Sequence, residues 1–392
     1  MLKKTYLLCL NIFTTERVEV LRTAPKVIKP LCQLEEPSVL HRSSVLSNGE
    51  KTKETPLYFS LLLLVIISFS ALWSFNSFAS GEVNVYSYRQ PFLVKPLFEQ
   101  FTQQTGIKVN VIFAKKGMAE RLAREGKYSP ADVLLTTDIS RLIELQDKKL
   151  LQAFESATIK KAVPSQYRAQ NEQWFALTTR VRNIYSSKRL GDIEFSYLDL
   201  ADEKYHGRIC TRSGKHPYNV ALVAAIISEY GENETLAWLE KFKANLARKP
   251  QGNDRSQVQA IHQNLCDISL GNSYYFGKML KDDKQKVWAD GVNINFPNQA
   301  NRGAHVNISG MALAKYAPNK ANAQKLMEFL VSKPAQQLYA EINMEYPVRT
   351  DVKPSALVAS WGNFKADTLP LETIAKHRKT ALKLLDKAQF DL

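Results

Sequence analysis

The strongest constraint on the fold is a regular alternation of strand-like and helix-like segments that begins at Glu82. Apolar residues recur with the short period of strands or in continuous runs in some segments, and at helical spacing in the segments between them. In chain order, the sequence predicts a strand at 83–87, a helix at 93–105, a strand at 108–113, a helix at 118–125, a buried parallel strand at 131–135 and a helix at 139–147. This order predicts a doubly wound α/β lobe.

A second lobe with the same organisation is predicted after Arg180. Its elements are a strand at 207–210, helices at 219–230 and 235–245, and a strand at 267–270, followed by a returning strand at 307–314 and a helix at 320–332 that packs on the first lobe. The expected fold class is α/β, with two doubly wound lobes joined by crossing hinge strands and a ligand cleft between them. We assign 80–178 to the first lobe, 179–303 to the second, and 304–392 to a return whose C-terminal helices pack across the lobes.

An apolar run over 57–78 precedes these lobes and ends with small residues at Ser77 and Ala79. This pattern predicts a secretory signal peptide at 56–79, cleaved after Ala79. The run approaches the length of a membrane span, so a retained anchor stays open. Residues 1–55 form a leader with mixed charge and no clear periodicity, and either the start codon is misassigned or the extension is real.

The chain is strongly basic but carries no nucleic-acid signature. It has 392 residues, 45% of them hydrophobic, and a formal net charge of +15. The lysines and arginines are scattered among acids instead of forming a stripe, and no familiar nucleic-acid motif accompanies them. We therefore expect no nucleic-acid partner, and the basic balance favours an anionic ligand complex.

The four cysteines divide between the leader and the lobes. Cys9 and Cys32 lie in the leader, whereas Cys210 and Cys266 lie in the exported body. Export permits a disulfide between the second pair, but spacing does not establish it, and two buried thiols in neighbouring strands are the equal alternative.

The usual catalytic signatures are missing from the sequence. There is no phosphate-binding loop, no dinucleotide glycine fingerprint, no nucleophile elbow and no zinc-type histidine pair. The histidines of the body have no spacing that would place two on one helical face; they are His206, His216, His262, His305 and His377. We expect no catalytic residues and no enzyme.

Tyrosine is the residue type that stands out. Tyr274 and Tyr275 follow a predicted strand that ends in small residues, and Tyr218 follows the end of another strand and precedes a helix. Open α/β sheets bind ligands at the carboxyl ends of their strands, so three phenols can converge there. Three phenolates would balance the charge of ferric iron, a hard cation. Composition alone favours the alternative that the tyrosine pair belongs to the core or to the rim of a pocket.

Several stretches resemble bacterial periplasmic ferric-iron-binding proteins of ABC importers, within the periplasmic binding protein type II class. The resemblance covers nearly all of 82–392, and the stretches that carry it are 86–91, 129–135, 174–180, 248–252, 272–275 and 307–310. The resemblance implies a periplasmic, monomeric carrier that binds Fe³⁺ and delivers it to an ABC permease and its ATPase.

The same resemblance implies the site residues. The Tyr274–Tyr275 pair matches the family's metal-ligand motif, and Tyr218 takes the place of the third ligand. Gln90 and Pro91 stand where some relatives present His and Tyr, so the chain looks like the three-tyrosine branch that uses carbonate or bicarbonate.

Arginines are the expected partners of that anion. Arg89 lies at a helix entrance, and Arg180 and Arg182 lie in the first crossover, where guanidinium groups can hold a planar anion in bidentate geometry.

The sequence is also consistent with two other functions. One is a carrier of the same fold for a small organic or anionic solute such as a polyamine, thiamine or a phosphonate. The other is a secreted enzyme that uses tyrosine as a general acid or base, although no partner that would lower the phenol's pKa is evident.

Overall fold

The computed structural model describes residues 81–392. The predicted leader and signal peptide lie outside the described residues. In chain order, the strands are β1 (Glu82–Ser87), β2 (Lys108–Phe113), β3 (Val133–Thr136), β4 (Leu151–Gln152), β5 (Phe175–Ser187), β6 (Ile209–Cys210), β7 (Ile268–Asn272), β8 (Val292–Asn295), β9 (Val306–Ala314) and β10 (Tyr346–Pro347).

The helices fill most of the connections between these strands. They are α1 (Pro91–Thr105), α2 (Met118–Glu125), α3 (Ile139–Asp147), α4 (Ala157–Ala162), α5 (Pro217–Ala244), α6 (Asp254–His262), α7 (Ser273–Leu280), α8 (Lys286–Asp290), α9 (Lys320–Leu330), α10 (Lys333–Asn343), α11 (Ala356–Ala359), α12 (Leu371–Lys376) and α13 (Arg378–Lys387). Within 81–392, no helix is both long and apolar enough to cross a bilayer.

The strands join into one mixed sheet with the order β2-β1-β3-β9-β5-β7-β6. β1 pairs in parallel with β2 and β3, as the alternation of strands and helices predicts. β3 is buried along its whole length, as its continuous apolar run predicts. On its other edge β3 pairs antiparallel with β9, so the sheet is mixed and not fully parallel.

β5 is the strand that connects the two ends of the sheet. Its first half pairs with β9 and β10, and residues from Arg182 onward pair with β7 and β8. All thirteen of its residues are buried. Its register shifts between Ala176 and Thr178, where a β-bulge or similar irregularity bends the ladder. Arg180 and Arg182 therefore sit where one set of partner strands gives way to the other.

The second end of the sheet contains β6 and β7, which run parallel, with α6 packed beside them. The sequence predicts two helices in the α5 region, and the backbone does break at Gly231, which has φ 83° and ψ 177°. Only glycine adopts such a conformation without strain. Cys210 and Cys266 form a disulfide with Cα atoms 5.8 Å apart, which ties β6 to the start of β7.

The C-terminal helices pack on both halves of the described chain. α10 contacts α1 and β5, whereas α12 contacts α3 and α5, and α13 lies along α5. The carboxylate of Asp391 accepts hydrogen bonds from Ser213 Oγ at 2.6 Å and from the Gly214 N–H at 2.7 Å. The chain end thereby holds the loop that leads into α5.

Candidate functional site

A cleft of about 510 Å³ opens at the carboxyl ends of β1, β3, β6 and β7. This is the location that strand direction predicts for a ligand in an open α/β sheet. The wall is rich in cations and contains few acids. The charged side chains that line it are Arg89, Lys115, Asp138, Arg141, Arg180, Arg212, Arg255, Lys278 and Glu345.

Three tyrosines meet in this cleft. Tyr218 lies in the first turn of α5, and Tyr274 and Tyr275 lie in the first turn of α7, directly after β7 ends. The hydroxyl oxygens of Tyr218 and Tyr274 are 3.2 Å apart, and the ring centroids of Tyr274 and Tyr275 are 4.2 Å apart. The structure thus brings the three predicted phenols together, although 56 residues separate Tyr218 from Tyr274.

Local backbone chemistry places both turns. Pro217 occupies the start of α5, where its fixed φ suits a helix and its missing N–H is not needed. His216 caps this helix by accepting the Tyr218 N–H at its Nδ1, at 3.3 Å. Ser273 Oγ accepts the N–H of Val181, which ties the start of α7 to β5. Both tyrosine-bearing turns are therefore anchored before any ligand arrives.

Burial keeps two of the phenols protonated at neutral pH. Burial raises the pKa of Tyr274 well above its ordinary value, and the neighbouring Tyr218 and Tyr275 raise it further. Burial also raises the pKa of Tyr275, and Tyr218 and Asp254 add to the effect. A phenolate at these positions needs a strong positive charge beside its oxygen.

Three arginines surround the phenols. The Arg180 guanidinium carbon lies 5.9 Å from the ring centroids of both Tyr218 and Tyr274. Arg212 lies 5.4 Å from the Tyr218 ring, and Arg255 lies 5.3 Å from the Tyr275 ring. The positive charges of these arginines stabilise negatively charged oxygens in the cleft more than neutral ones.

Behind the tyrosines, Asp254 connects the two turns through a buried charge network. Its carboxylate accepts hydrogen bonds from Arg182 at 2.7 Å, from Arg212 at 2.8 Å and from the Asn272 N–H at 2.9 Å. Arg182 also donates to the side-chain oxygens of Asn219, at 2.6 Å, and Asn272, at 3.1 Å. Asn219 follows Tyr218 and Asn272 lies two residues before Tyr274, so this network fixes the spacing of the phenols.

The three predicted anion contacts have different positions. Arg89 and Arg180 line the cleft, as expected. Arg182 is not among the lining residues of the described chain, because its guanidinium points into the Asp254 network. The structure therefore places two of the three arginines where an anion in the cleft can reach them, and gives Arg182 a supporting position.

Glu345 is the acid that sequence reasoning missed at the cleft floor. It pairs with Arg89 at 3.1 Å and with Arg180 at 3.3 Å, and it accepts a short hydrogen bond from Thr178 Oγ1. Burial alone would raise the pKa of Glu345, but Arg89 and Arg180 outweigh it and lower the pKa. Glu345 precedes β10 and belongs to no local motif that could have revealed it.

Sequence reasoning also missed Asp254, Arg212, Arg255 and Lys278. Arg212 lies in the loop that carries Tyr218, which was the signal that could have found it. Among the described residues, no group of three or more His, Cys, Asp and Glu is arranged to hold a metal ion. Phenol oxygens are thus the metal-binding groups that this part of the chain offers together.

Comparison with known proteins shows the family of this chain. The family profile described as bacterial extracellular solute-binding protein matches residues 129–364. Iron uptake protein A1 from Synechocystis sp. is 42% identical over 312 residues, which cover 78% of this chain and 87% of that protein.

Two solved structures have the same fold. Apo ferric ion-binding protein A from Pasteurella haemolytica matches with 56% identity and a TM-score of 0.77, covering 80% of this chain and 99% of that one. A Trichodesmium protein in complex with iron and citrate ligands matches with 38% identity and a TM-score of 0.76, covering 79% of this chain and all of the other. The predicted type II periplasmic binding protein fold and the resemblance to ferric-iron-binding proteins are confirmed, and this chain belongs to the bacterial extracellular solute-binding protein family.

Proposed function

We propose that this protein captures ferric iron in the cleft through the phenolate oxygens of Tyr218, Tyr274 and Tyr275. The observation that carries the proposal is the convergence of these phenols, with the hydroxyl oxygens of Tyr218 and Tyr274 3.2 Å apart and the ring centroid of Tyr275 4.2 Å from that of Tyr274. The names of the relatives, which include an iron uptake protein and ferric ion-binding proteins, support the same cargo.

The chemistry of the site favours a hard trivalent cation. Phenolate oxygen is a hard ligand, and three of them balance a charge of +3. Because burial raises the pKa values of Tyr274 and Tyr275, deprotonation must be driven by the cation that binds. The attraction of a monovalent cation would not offset the free-energy cost of removing these protons.

The cations of the cleft favour an anion that accompanies iron. Arg89 and Arg180 line the cleft and have planar donor groups suited to carbonate or bicarbonate. Arg182 would act indirectly by holding Asp254 and the two tyrosine-bearing turns. The Trichodesmium protein was solved in complex with iron and citrate ligands, which supports an oxyanion as companion of the metal.

We infer a role in transport, not catalysis. A signal peptide ending at Ala79 would export the chain to the periplasm, where residues 80–178 and 304–392 would form one lobe and 179–303 the other. Iron held by the second lobe, with anion contacts from the first, would favour closure of the cleft. The closed monomer would then be recognised by an ABC permease with its ATPase.

Titration with ferric citrate tests this function. Purified protein is titrated with and without bicarbonate while the visible spectrum and the bound metal are recorded. We expect one iron per chain and a phenolate-to-iron absorption band that Tyr274→Phe and Tyr275→Phe abolish. Tyr230→Phe, on the far part of α5, is the matched control and should keep the band. Absence of both band and bound iron in the unchanged protein refutes the proposal.

One observation favours a second candidate. The cleft contains an excess of cationic side chains, which an anionic organic solute such as a phosphonate would also satisfy. That solute would bind in the presence of a metal chelator and without any visible band. Tyr275→Phe would weaken its binding less than it would weaken the binding of iron.

A further inference from the structure

The cleft floor contains a buried cluster in which one carboxylate is shared by two arginines. Glu345 Oε1 and Oε2 both accept from Arg89 Nη2 at 3.1 Å, and Oε1 also accepts from Arg180 Nη1 at 3.3 Å. The side chains of Arg89, Arg180 and Glu345 are 2%, 1% and 3% exposed. Nevertheless all three line the cleft, so the cluster faces the space where a ligand would lie.

This cluster lies beside the tyrosines. The Arg180 guanidinium contacts Glu345 and also lies 5.9 Å from the rings of Tyr218 and Tyr274. The Arg180 side chain therefore links the Glu345 carboxylate to the phenols. An oxyanion bound next to these phenols and to Arg180 would be close to a fixed negative charge.

The arginines also retain donors that the protein does not use. Within the described chain, Nε of Arg89 and Nε of Arg180 are buried and have no hydrogen-bond partner. Buried donors without a partner are rare and costly in folded proteins. Two such donors on the side chains that flank one carboxylate point to a ligand that completes their hydrogen bonding.

Charge counting shows what Glu345 does to this pair. Two guanidinium groups carry two positive charges, and the ionised carboxylate leaves a net charge of one. An oxyanion that approaches the pair meets competition for Arg89 Nη2 and Arg180 Nη1 and repulsion from Glu345. Placing like charges together in a buried site is strongly unfavourable. A trivalent cation held by the phenols would offset that repulsion.

We propose that Glu345 lowers the anion affinity of the metal-free cleft, by occupying donor groups of Arg89 and Arg180 so that an oxyanion binds well only together with the metal. The inference rests on the proposed function, since it concerns the anion of the same site. Glu345 here acts as an internal competitor of the anion. It makes capture of the anion conditional on capture of iron, and it disfavours anions of high charge in the metal-free cleft.

Bicarbonate binding to the metal-free protein tests this role. Sodium [¹³C]bicarbonate is titrated into unchanged protein, Glu345→Gln and Glu341→Gln, and the affinity is obtained from ¹³C line broadening. Glu341 lies in α10, four residues before Glu345, and is exposed, so its variant has the same change of charge away from the cleft floor. We expect Glu345→Gln to bind bicarbonate at least about tenfold more tightly and Glu341→Gln to bind as the unchanged protein does.

A purely structural role for Glu345 predicts no such gain, because loss of a structural ion pair cannot tighten anion binding. Equal bicarbonate affinity in Glu345→Gln and unchanged protein overturns the inference. If Glu345→Gln does not fold, Glu345→Asp replaces it, since it keeps the charge but withdraws the carboxylate by one methylene. A smaller rise in affinity is then expected, and no rise overturns the inference.

The same variants separate this inference from the proposed function. An iron band in the unchanged protein together with unaltered bicarbonate affinity in Glu345→Gln refutes the role of Glu345 alone. A rise in bicarbonate affinity without an iron band in the unchanged protein refutes iron capture and leaves the role of Glu345 standing. Where iron binds, Glu345→Gln should also reach half of its full band at a lower bicarbonate concentration, but by less than the gain in the metal-free protein, because the metal offsets the repulsion from Glu345.

Discussion

Asp254→Asn tests whether the buried charge network stabilises the two tyrosine-bearing turns. The carboxylate of Asp254 is fully buried and pairs with Arg182 at 2.7 Å and Arg212 at 2.8 Å. The amide has the same size but leaves two guanidinium groups without their counter-charge. Removing one partner of a buried ion pair costs about 3–5 kcal/mol. We expect the free energy of unfolding to fall by about that amount.

The matched control is Asp290→Asn. The Asp290 carboxylate pairs with Lys286 at 2.6 Å, nearly the same distance, but these side chains are 51% and 54% exposed. An exposed pair at this helical spacing contributes about 0.3–0.5 kcal/mol. Urea unfolding at pH 7, followed by tryptophan fluorescence, measures both variants. If Asp254→Asn loses no more stability than Asp290→Asn, the reasoning about this network is refuted.

The pH dependence of the same variant has a definite sign. Burial alone would raise the pKa of Asp254, but Arg182 and Arg212 outweigh it and lower the pKa. A lowered pKa gives stability that is present at neutral pH and lost as the pH falls below the ordinary Asp value of about 3.9. The stability difference between unchanged protein and Asp254→Asn should therefore stay constant from about pH 8 to 5 and shrink only in stronger acid.

Three further perturbations have expected outcomes. Replacing Cys210 and Cys266 by Ala removes a cross-link between residues 56 apart, which should lower the free energy of unfolding by about 4 kcal/mol in non-reducing urea titrations; no change would mean that the disulfide does not stabilise the fold. Gly271→Ala would drive a methyl group into the Tyr185 ring, so we expect a loss of about 1–3 kcal/mol, and an unaltered urea midpoint would contradict this packing. Iron retention should weaken as the pH falls from about 7 to 5, because protons return to the phenols; retention that is independent of pH, measured by equilibrium dialysis against citrate, would argue against phenolate ligands.

The sequence located the tyrosines because their positions follow from strand direction. Tyr218 and Tyr274 each come shortly after a strand ends, and strands that run parallel in one sheet bring such positions to one edge. The helices of the first lobe were predicted closely, with α2 and α3 at the predicted residues, because their apolar spacing is regular.

β5 and the charge networks could not be predicted in the same way. β5 is buried on both faces and carries polar and charged residues such as Thr178 and Arg180, so no period of two appears in it. Glu345 meets Arg180 across 165 residues of chain and Arg89 across 256. Contacts of that separation depend on the assembled fold, and the local pattern around an acid does not reveal them.

Anomalous X-ray diffraction at the iron absorption edge, from crystals grown with ferric iron and bicarbonate, tests the central claim most directly. The account predicts a single anomalous peak in the cleft, within bonding distance of the hydroxyl oxygens of Tyr218, Tyr274 and Tyr275. A peak bound by other residues, or a cleft without iron in crystals whose solution form binds it, would contradict capture by these three tyrosines.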